Sequence, residues 1–387
     1  MQAILECCCG VDVHRDMIEA CIIKGIEAPQ IISKRFSTIP SDLKQFTAWL
    51  YENDCYHVAM ESTGVYWRPV YEAIEEFSVY YENIIVANAH HMRNLPGRKT
   101  DVKDAQWIAT LLQHGLLEPS FVPERTIRDL REFSRTYKNC VGEKTRCINR
   151  LEKFLQTHGF KLSSVLSDIN SVSGLRILSV LAQKGSLSLE DVEKAISSNT
   201  KNSAESIQNA ICGRLNTYEC FLLSDYLDQL SSIQQHIDKI LAMMATISAP
   251  YEKALYQLDS IPGIDITAAM LIIAEIGPSP QEVFENSLRL CSWAGLSPRN
   301  DQSAGKISSR KIMPGNPYIK SILCQCAWAA VRTRNTPFAN WFWSHQGKIG
   351  KKKAIIAVSR KMLSLIYTLL ASGQCYDNEI ALAAHSS

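Results

Sequence analysis

A serine, Ser303, sits within GLSPRNDQSAGKISSRKIMPGNP, the stretch from Gly295 to Pro317. Ala304 and Gly305 follow it, and Arg299, Lys306, Arg310 and Lys311 surround it. Small residues let the backbone come close to a bulky anion. From Arg299 to Lys361 there are thirteen Lys or Arg and a single acid, Asp301. A serine in a basic, flexible loop is a candidate nucleophile toward a phosphodiester. The plainer alternative is a loop serine that only contacts phosphate. Farther on, Gly347–Lys353 reads GKIGKKK. Lys351 in that run is either a phosphate contact or part of a solvated surface.

Four carboxylates form the second candidate group. Asp12 lies between Val11 and Val13 in an apolar first strand, on the face opposite the valines. An unpaired charge buried there would be costly, so it needs a partner. Glu61 ends the apolar run from Tyr56, at the strand end where open α/β sheets place their sites. Asp101 and Asp104 open a helix in RKTDVKDAQWIA, three residues apart and hence on one face. Carboxylates converging in a cleft hold hard cations such as Mg²⁺, and paired ions can activate both oxygens of a phosphodiester. The alternative has Asp101 as a partner of the helix dipole and Asp104 as a solvated neighbour of Lys103.

The elements around these residues divide the chain into three. Residues 1–115 begin with short apolar runs joined by turns, then alternate helical and strand patterns. That order predicts an α/β layer fold with an antiparallel start. Residues 116–255 open with a linker bracketed by Pro119 and Pro123, and a long helical pattern begins at Arg125. Arg128, Arg131, Arg135 and Lys138 recur on one side of it. Such a stripe either follows a nucleic-acid backbone or is a solvated face. Gly159–Asn202 reads as short helices and turns. Leu223, Leu227, Leu230, Ile237, Leu241 and Met244 then step by three and four, with Gln234 at the missing seam position. This is the pattern of a coiled-coil arm packing on the first long helix or on a second subunit. Residues 256–387 read as mainly helical. Their LDSIPGIDITAAMLIIAEIG stretch resembles a helix-hairpin-helix with Asp265 in place of a second glycine, which favours a structural turn.

Composition narrows the class. The net charge is only +2, with the basic residues concentrated toward the C-terminal end. There are 13 cysteines and no Cys-x-x-Cys pair, which argues against structural zinc and for reduced thiols in a cytosol. The longest apolar run, Ala268–Ala274, is far too short to span a membrane.

GVDVH, MESTG and RKTDVKDA, in that order, resemble the Asp-Glu-Asp-Asp set of the bridge-RNA-guided transposases, the insertion-sequence one-ten family with its Piv invertase relatives. GLSPR…S…GN resembles the same family's transposase domain. The resemblance implies an RNase-H-like, RuvC-like N-terminal domain, a coiled-coil middle and a helical transposase domain. It implies Mg²⁺ on Asp12, Glu61, Asp101 and Asp104, and Ser303 as a nucleophile forming a phosphoserine link. The expected partners are donor and target DNA, a guide (bridge) RNA on the Arg128–Lys138 stripe, and further copies of the chain as a dimer or tetramer. The expected location is a bacterial or archaeal cytoplasm, with no membrane. A metal-dependent junction endonuclease using water alone is the other reading of the same acids. Two positions depart from the family pattern: Ala304 stands before the glycine after the serine, and Lys320 stands where an Arg is usual.

Overall fold

The computed structural model describes residues 3–62, 64–77, 83–87, 104–198, 200–298, 301–303, 306–309, 312 and 314–377, with backbone alone for 301–303 and 306–309. The chain divides into two compact units, Met1–Val122 and Pro123–Ser387.

The first unit is built on a five-stranded sheet. Its strands are β1 (Cys7–Val13), β2 (Met17–Lys24), β3 (Gln30–Ser37), β4 (His57–Glu61) and β5 (Asn83–Ala87), in the order β3-β2-β1-β4-β5. The first three pair antiparallel; β4 runs parallel to β1, and β5 parallel to β4. The sequence foretells this division. Two tight turns can link antiparallel neighbours, whereas each parallel step needs a crossover, and the helical patterns lie there.

Alternation sorts the side chains. Cys9, Val11, Val13, Val58 and Met60 join one core with α1 (Pro40–Glu52) and α2 (Trp67–Glu75). Cys8, Ile23, Ala59 and Ile85 join the opposite core with Ile108, Ala109, Leu111 and Leu112 of α3 (Asp104–Gln113). A Cβ on Gly10 would lie 2.2 Å from Ala105 O and Ala109 N. Only glycine lets α3 lie this close on the sheet. Residues past α3 dock on the sheet edge: Ser120 N–H donates to Val86 O, and Pro119 bridges to Ala87. The expected linker between Pro119 and Pro123 is thus partly an edge segment, and the first unit extends past residue 115.

The second unit gathers both of the remaining expected domains. Helix α4 (Arg125–Thr157) carries on to α5 (Leu162–Val165), α6 (Val172–Lys184), α7 (Leu189–Ala195) and α8 (Ala204–Ala210). Side-chain caps from Ser171, Ser188 and Ser203 start the last three, and their apolar faces share one small core with the end of α4. Helix α9 (Thr217–Ser248) returns antiparallel to α4; Lys144 pairs with Gln234, while His158 pairs with Glu219. Leu223, Leu230, Ile237 and Met244 are buried at steps of seven. The missing seam position, Gln234, accepts a hydrogen bond from α4 instead of packing.

Then come α10 (Glu252–Asp259), α11 (Ile266–Ile276), α12 (Ser287–Trp293), a hairpin of β6 (Asp301–Ser303) and β7 (Lys306–Ser309), α13 (Pro317–Ala330), α14 (Pro337–Ile349) and α15 (Lys351–Ser372). Helix α15 is long and apolar enough to cross a membrane by length and composition. The longest-run reading of the sequence passed over it because Ser359, Arg360 and Lys361 interrupt it. Its apolar residues, Ile355, Val358, Met362, Leu363, Ile366 and Leu369 among them, are buried, as in the core helix of a folded domain.

Candidate functional site

The acids of the first unit share a face and an end of the sheet. Asp12 has the parity of Cys8 and Gly10, and Glu61 that of Ala59, so both stand on the face covered by α3. Val11 is the register partner of Met60, and the next residue along each of these parallel strands is an acid. Helix α3 runs antiparallel to β1. Gln113 O accepts from Ile4 N–H and Leu5 N–H at the strand's start, and Ala105 lies against Gly10 farther along. Asp104 therefore begins its helix at the end where Asp12 and Glu61 sit. Asp101 lies outside the described residues.

The local electrostatics include a residue that sequence reasoning missed. Glu19 is the direct antiparallel partner of Asp12 and has the same parity. Like charges opposite one another in a sheet are destabilising unless offset. Here His14 Nε2 lies 3.0 Å from Asp12 Oδ2, and Arg35 Nη2 lies 3.5 Å from Glu19 Oε2. The side chains of Asp12 and Glu19 are 18% and 13% exposed, so neither is freely solvated. The signal was available: an acid in the apolar run MIEACIIK is the same anomaly that singled out Asp12. Among the described residues no group of three His, Cys, Asp or Glu is gathered so as to hold a metal ion. The donor set is nonetheless the right chemistry for a hard cation: carboxylate oxygens at adjacent strand ends and a helix start.

Ser303 is not in an open loop, as expected, but on a strand. It ends β6, with Lys306 of β7 as its register partner. Only Ala304 and Gly305 separate the two in sequence, and a two-residue link is the commonest hairpin connection. The hairpin's root is fixed by close backbone approach. A Cβ on Gly315 would lie 2.2 Å from Gly295 N, and Pro298 bridges to Ile312. Asn316 follows. Its N–H donates to Trp293 O, and its Oδ1 accepts from the N–H groups of Tyr318 and Ile319, capping α13. Arg299 and Arg310 lie outside the described residues, and Lys306 is placed only by its backbone. Lys351 is exposed, the first of three exposed lysines that open α15.

The residues of the expected RNA-binding stripe have partners within the protein. Arg128 is 6% exposed and donates from Nη1 to Pro123 O at 2.9 Å. Arg131 donates to the end of α11, to Ala274 O at 2.9 Å and Glu275 O at 2.8 Å. Arg135 forks onto the Glu275 carboxylate with both contacts at 3.2 Å, and stacks 4.3 Å from the centre of the Tyr318 ring. Lys138 lies 5.1 Å from the same ring. Burial pushes the Arg131 guanidinium down to about 10, which the Glu275 charge partly offsets, so it stays charged at neutral pH. Guanidinium groups held in this way are not a row of free phosphate contacts. The spacing put them on one face, and that face packs in part on the end of α11 at Ala274 and Glu275.

The helix-hairpin-helix turn is structural. Gly263 has φ +90°, and a Cβ there would lie 2.5 Å from Cys326 O and Ala330 N of α13. Its glycine serves packing, and the Asp265 side chain caps α11 by accepting from Ala268 N–H.

Residues 9–160, which span all four expected carboxylates, match a family described as Transposase (DEDD_Tnp_IS110). Residues 255–342, which hold Glu275, Ser303 and Asn316, match the Transposase IS116/IS110/IS902 family. The chain is 20% identical over 379 residues to the pilin gene-inverting protein of Moraxella lacunata, covering 96% of this chain and 98% of that one. The same protein of Moraxella bovis matches to the same extent. A putative transposase of Sinorhizobium fredii, y4rJ, is 24% identical over 298 residues, 73% of this chain and 69% of its own length. With both ends matched in order and the inverting proteins similar along nearly the whole length, the chain belongs to the IS110 family of transposases and is a DNA transposase or recombinase.

Proposed function

We propose that this recombinase exchanges DNA strands through a phosphoserine link at Ser303, on an RuvC-like N-terminal fold that holds Mg²⁺, guided by a structured RNA. One observation carries the reading. Ser303 stands on a hairpin in register with Lys306, Gly315 packs on Gly295 at its root, and the chain from Gln302 to Tyr376 has twelve Lys or Arg and no acid. Such a segment attracts a polyanion. The three lysines opening α15 support the same view. Cations at a helix N-terminus oppose its dipole at about 0.3–1 kcal/mol each, a cost that bound phosphates offset.

In the reaction the Ser303 Oγ–P bond forms as a DNA P–O bond breaks. The serine proton passes, overall, to the departing DNA oxygen, so a hydroxyl leaves. One phosphodiester replaces another, and a second DNA hydroxyl can reverse the step without ATP. Asp12, Glu61, Asp101 and Asp104 would hold Mg²⁺. When bound, the ion favours the ionised form of a hydroxyl and neutralises charge on the transferring phosphoryl. Several strand ends must be held together, so the working form is a homo-oligomer, a dimer or tetramer, on donor and target DNA. With the arginine face of α4 occupied, the guide RNA binds elsewhere, and sequencing RNA that co-purifies with the protein identifies it.

The test is denaturing electrophoresis of protein incubated with labelled DNA and Mg²⁺. A covalent protein–DNA band is expected in the parent and absent from Ser303→Ala. Clean cuts with no such band favour a water-using junction nuclease, and a band that persists in Ser303→Ala moves the nucleophile elsewhere.

A further inference from the structure

We propose that Glu275 is a positioning residue for Ser303, tying the root of the serine hairpin to the long helix α4. The inference rests on the reading of Ser303 as nucleophile. Glu275 is wholly buried, near the end of a helix that is otherwise apolar. Its carboxylate is a junction. Arg135 from α4 takes both oxygens, Arg131 Nε lies 3.7 Å from Oε2, and Asn316 Nδ2 donates to Oε2 at 2.7 Å.

Asn316 is the residue that leaves the hairpin. It is held from three directions: by Trp293 O at the end of α12, by the first N–H groups of α13, and by Glu275. Gly295 and Gly315 touch one residue before it, where the two arms of the hairpin enter the domain. Arg135 and Lys138 also pack on Tyr318, two residues past Asn316. The network therefore connects α4, α11, α12 and α13 at the single point from which the hairpin projects.

A buried ion pair is weak evidence for stability, since apolar residues of equal volume often do as well. What a fully partnered network supplies is one defined geometry. Geometry matters here because the hairpin is a lever. Ser303 lies five residues beyond Pro298 in sequence, and five residues of fully extended chain reach roughly 16 Å. A tilt of about 5° at the root would move the tip by roughly 1.4 Å, and a misplacement of about 1 Å costs on the order of a hundredfold in rate.

Asn316→Asp tests this directly. Asp is as good a helix cap as Asn, so α13 keeps its start, but a second carboxylate then faces Glu275. Adding Glu275→Gln removes the like charge and gives the carboxylate at position 316 an amide donor. The amide oxygen remains for Arg135 Nε, and the single carboxylate at position 316 faces the guanidinium that Oε2 had accepted from. The readouts are the single-turnover rate of covalent adduct formation, DNA affinity, thermal stability, and amide exchange of residues 293–298 and 312–319. Asn316→Asp should slow adduct formation on the order of a hundredfold, with DNA affinity within about threefold. The double variant should recover at least about tenfold of that loss, a coupling a merely structural effect would not show. Parent-like adduct formation in Asn316→Asp overturns the proposal, as does a folded double variant no faster than the single. Should Asn316→Asp fail to fold, Asn316→Ser keeps a cap and removes the donor to Glu275. A parent-like rate there is equally fatal. Should the parent give no adduct on Ser303, the mechanism above fails on its own. Amide exchange then decides: faster exchange confined to the hairpin root supports Glu275 as its anchor, and unchanged exchange rejects it.

Discussion

The two candidate centres are held in place by opposite means. At the sheet end, Asp12 and Glu61 are aimed by strand parity, and α3 is pressed against Gly10 by an apolar core on that face. At the serine hairpin, Ala294 and Leu296 are buried beside the root, and a buried carboxylate with two arginines and an asparagine is added to the packing. The first arrangement fails chiefly by shape. The second fails by charge, and one atom's change of donor to acceptor is enough. The same residue type is used in two ways: acids at the sheet end stand at adjacent strand ends, and the acid under the hairpin is wholly buried and partnered by the protein itself.

The largest effect should come from Gly10→Ala. Its Cβ would overlap Ala105 O and Ala109 N, and neither backbone atom can swing aside. Overpacking of this kind costs about 3 kcal/mol or more where a whole helix must shift. A denaturant titration followed by amide exchange should show β1 and α3 loosened and the hairpin root unchanged. If the root loosened equally, the two centres would not be independently held.

Next in size is Arg135→Ala. It leaves Glu275 buried with part of its charge unmatched. A broken buried pair costs about 3–5 kcal/mol; the expectation here is about 2–3, because Arg135 is 39% exposed and Arg131 remains. Once compared at equal folded fraction, RNA and DNA affinities should match the parent. A salt slope flatter by one unit would return this arginine to the phosphate-binding surface.

The smallest stability change, and the clearest contrast, is the triple Lys351→Ala, Lys352→Ala, Lys353→Ala variant. Removing cations from the start of α15 should raise thermal stability slightly, by about 0.3–1 kcal/mol in all, because the three exposed lysines are screened by solvent. DNA binding should weaken all the same, its salt slope falling by about two to three units. An unchanged slope would make the run a solvated surface.

Much of this was legible in the sequence, and the gaps have physical causes. Asp12 stood out because a charge in an apolar strand violates the alternation around it, and Glu19 could have been found by the same test. Alternation also foretold the sheet's mixed character, since turn lengths limit which strands can run parallel. The stripe on α4 was found by spacing, but spacing assigns residues to a face and does not say what that face meets. The missing clue lay far along the chain: a lone acid in ITAAMLIIAEI, which needs buried cations as much as Arg131 and Arg135 need a carboxylate. The hairpin escaped detection because its strands are only three and four residues long and polar. Short strands of that kind carry no periodic signal.

The distance along the chain between those partners also orders events during synthesis. Arg135 and Glu275 are 140 residues apart. At about 5–20 residues per second, a ribosome takes roughly 7–28 s to make the second after the first. Throughout that interval the first unit has all its strands and can close, whereas Arg135 of α4 waits for the Glu275 carboxylate. The nascent arm is thus a cationic helix for many seconds, open to any polyanion nearby. Only when Glu275 emerges does that face turn inward, and the foundation under the serine is among the last parts of the molecule to set.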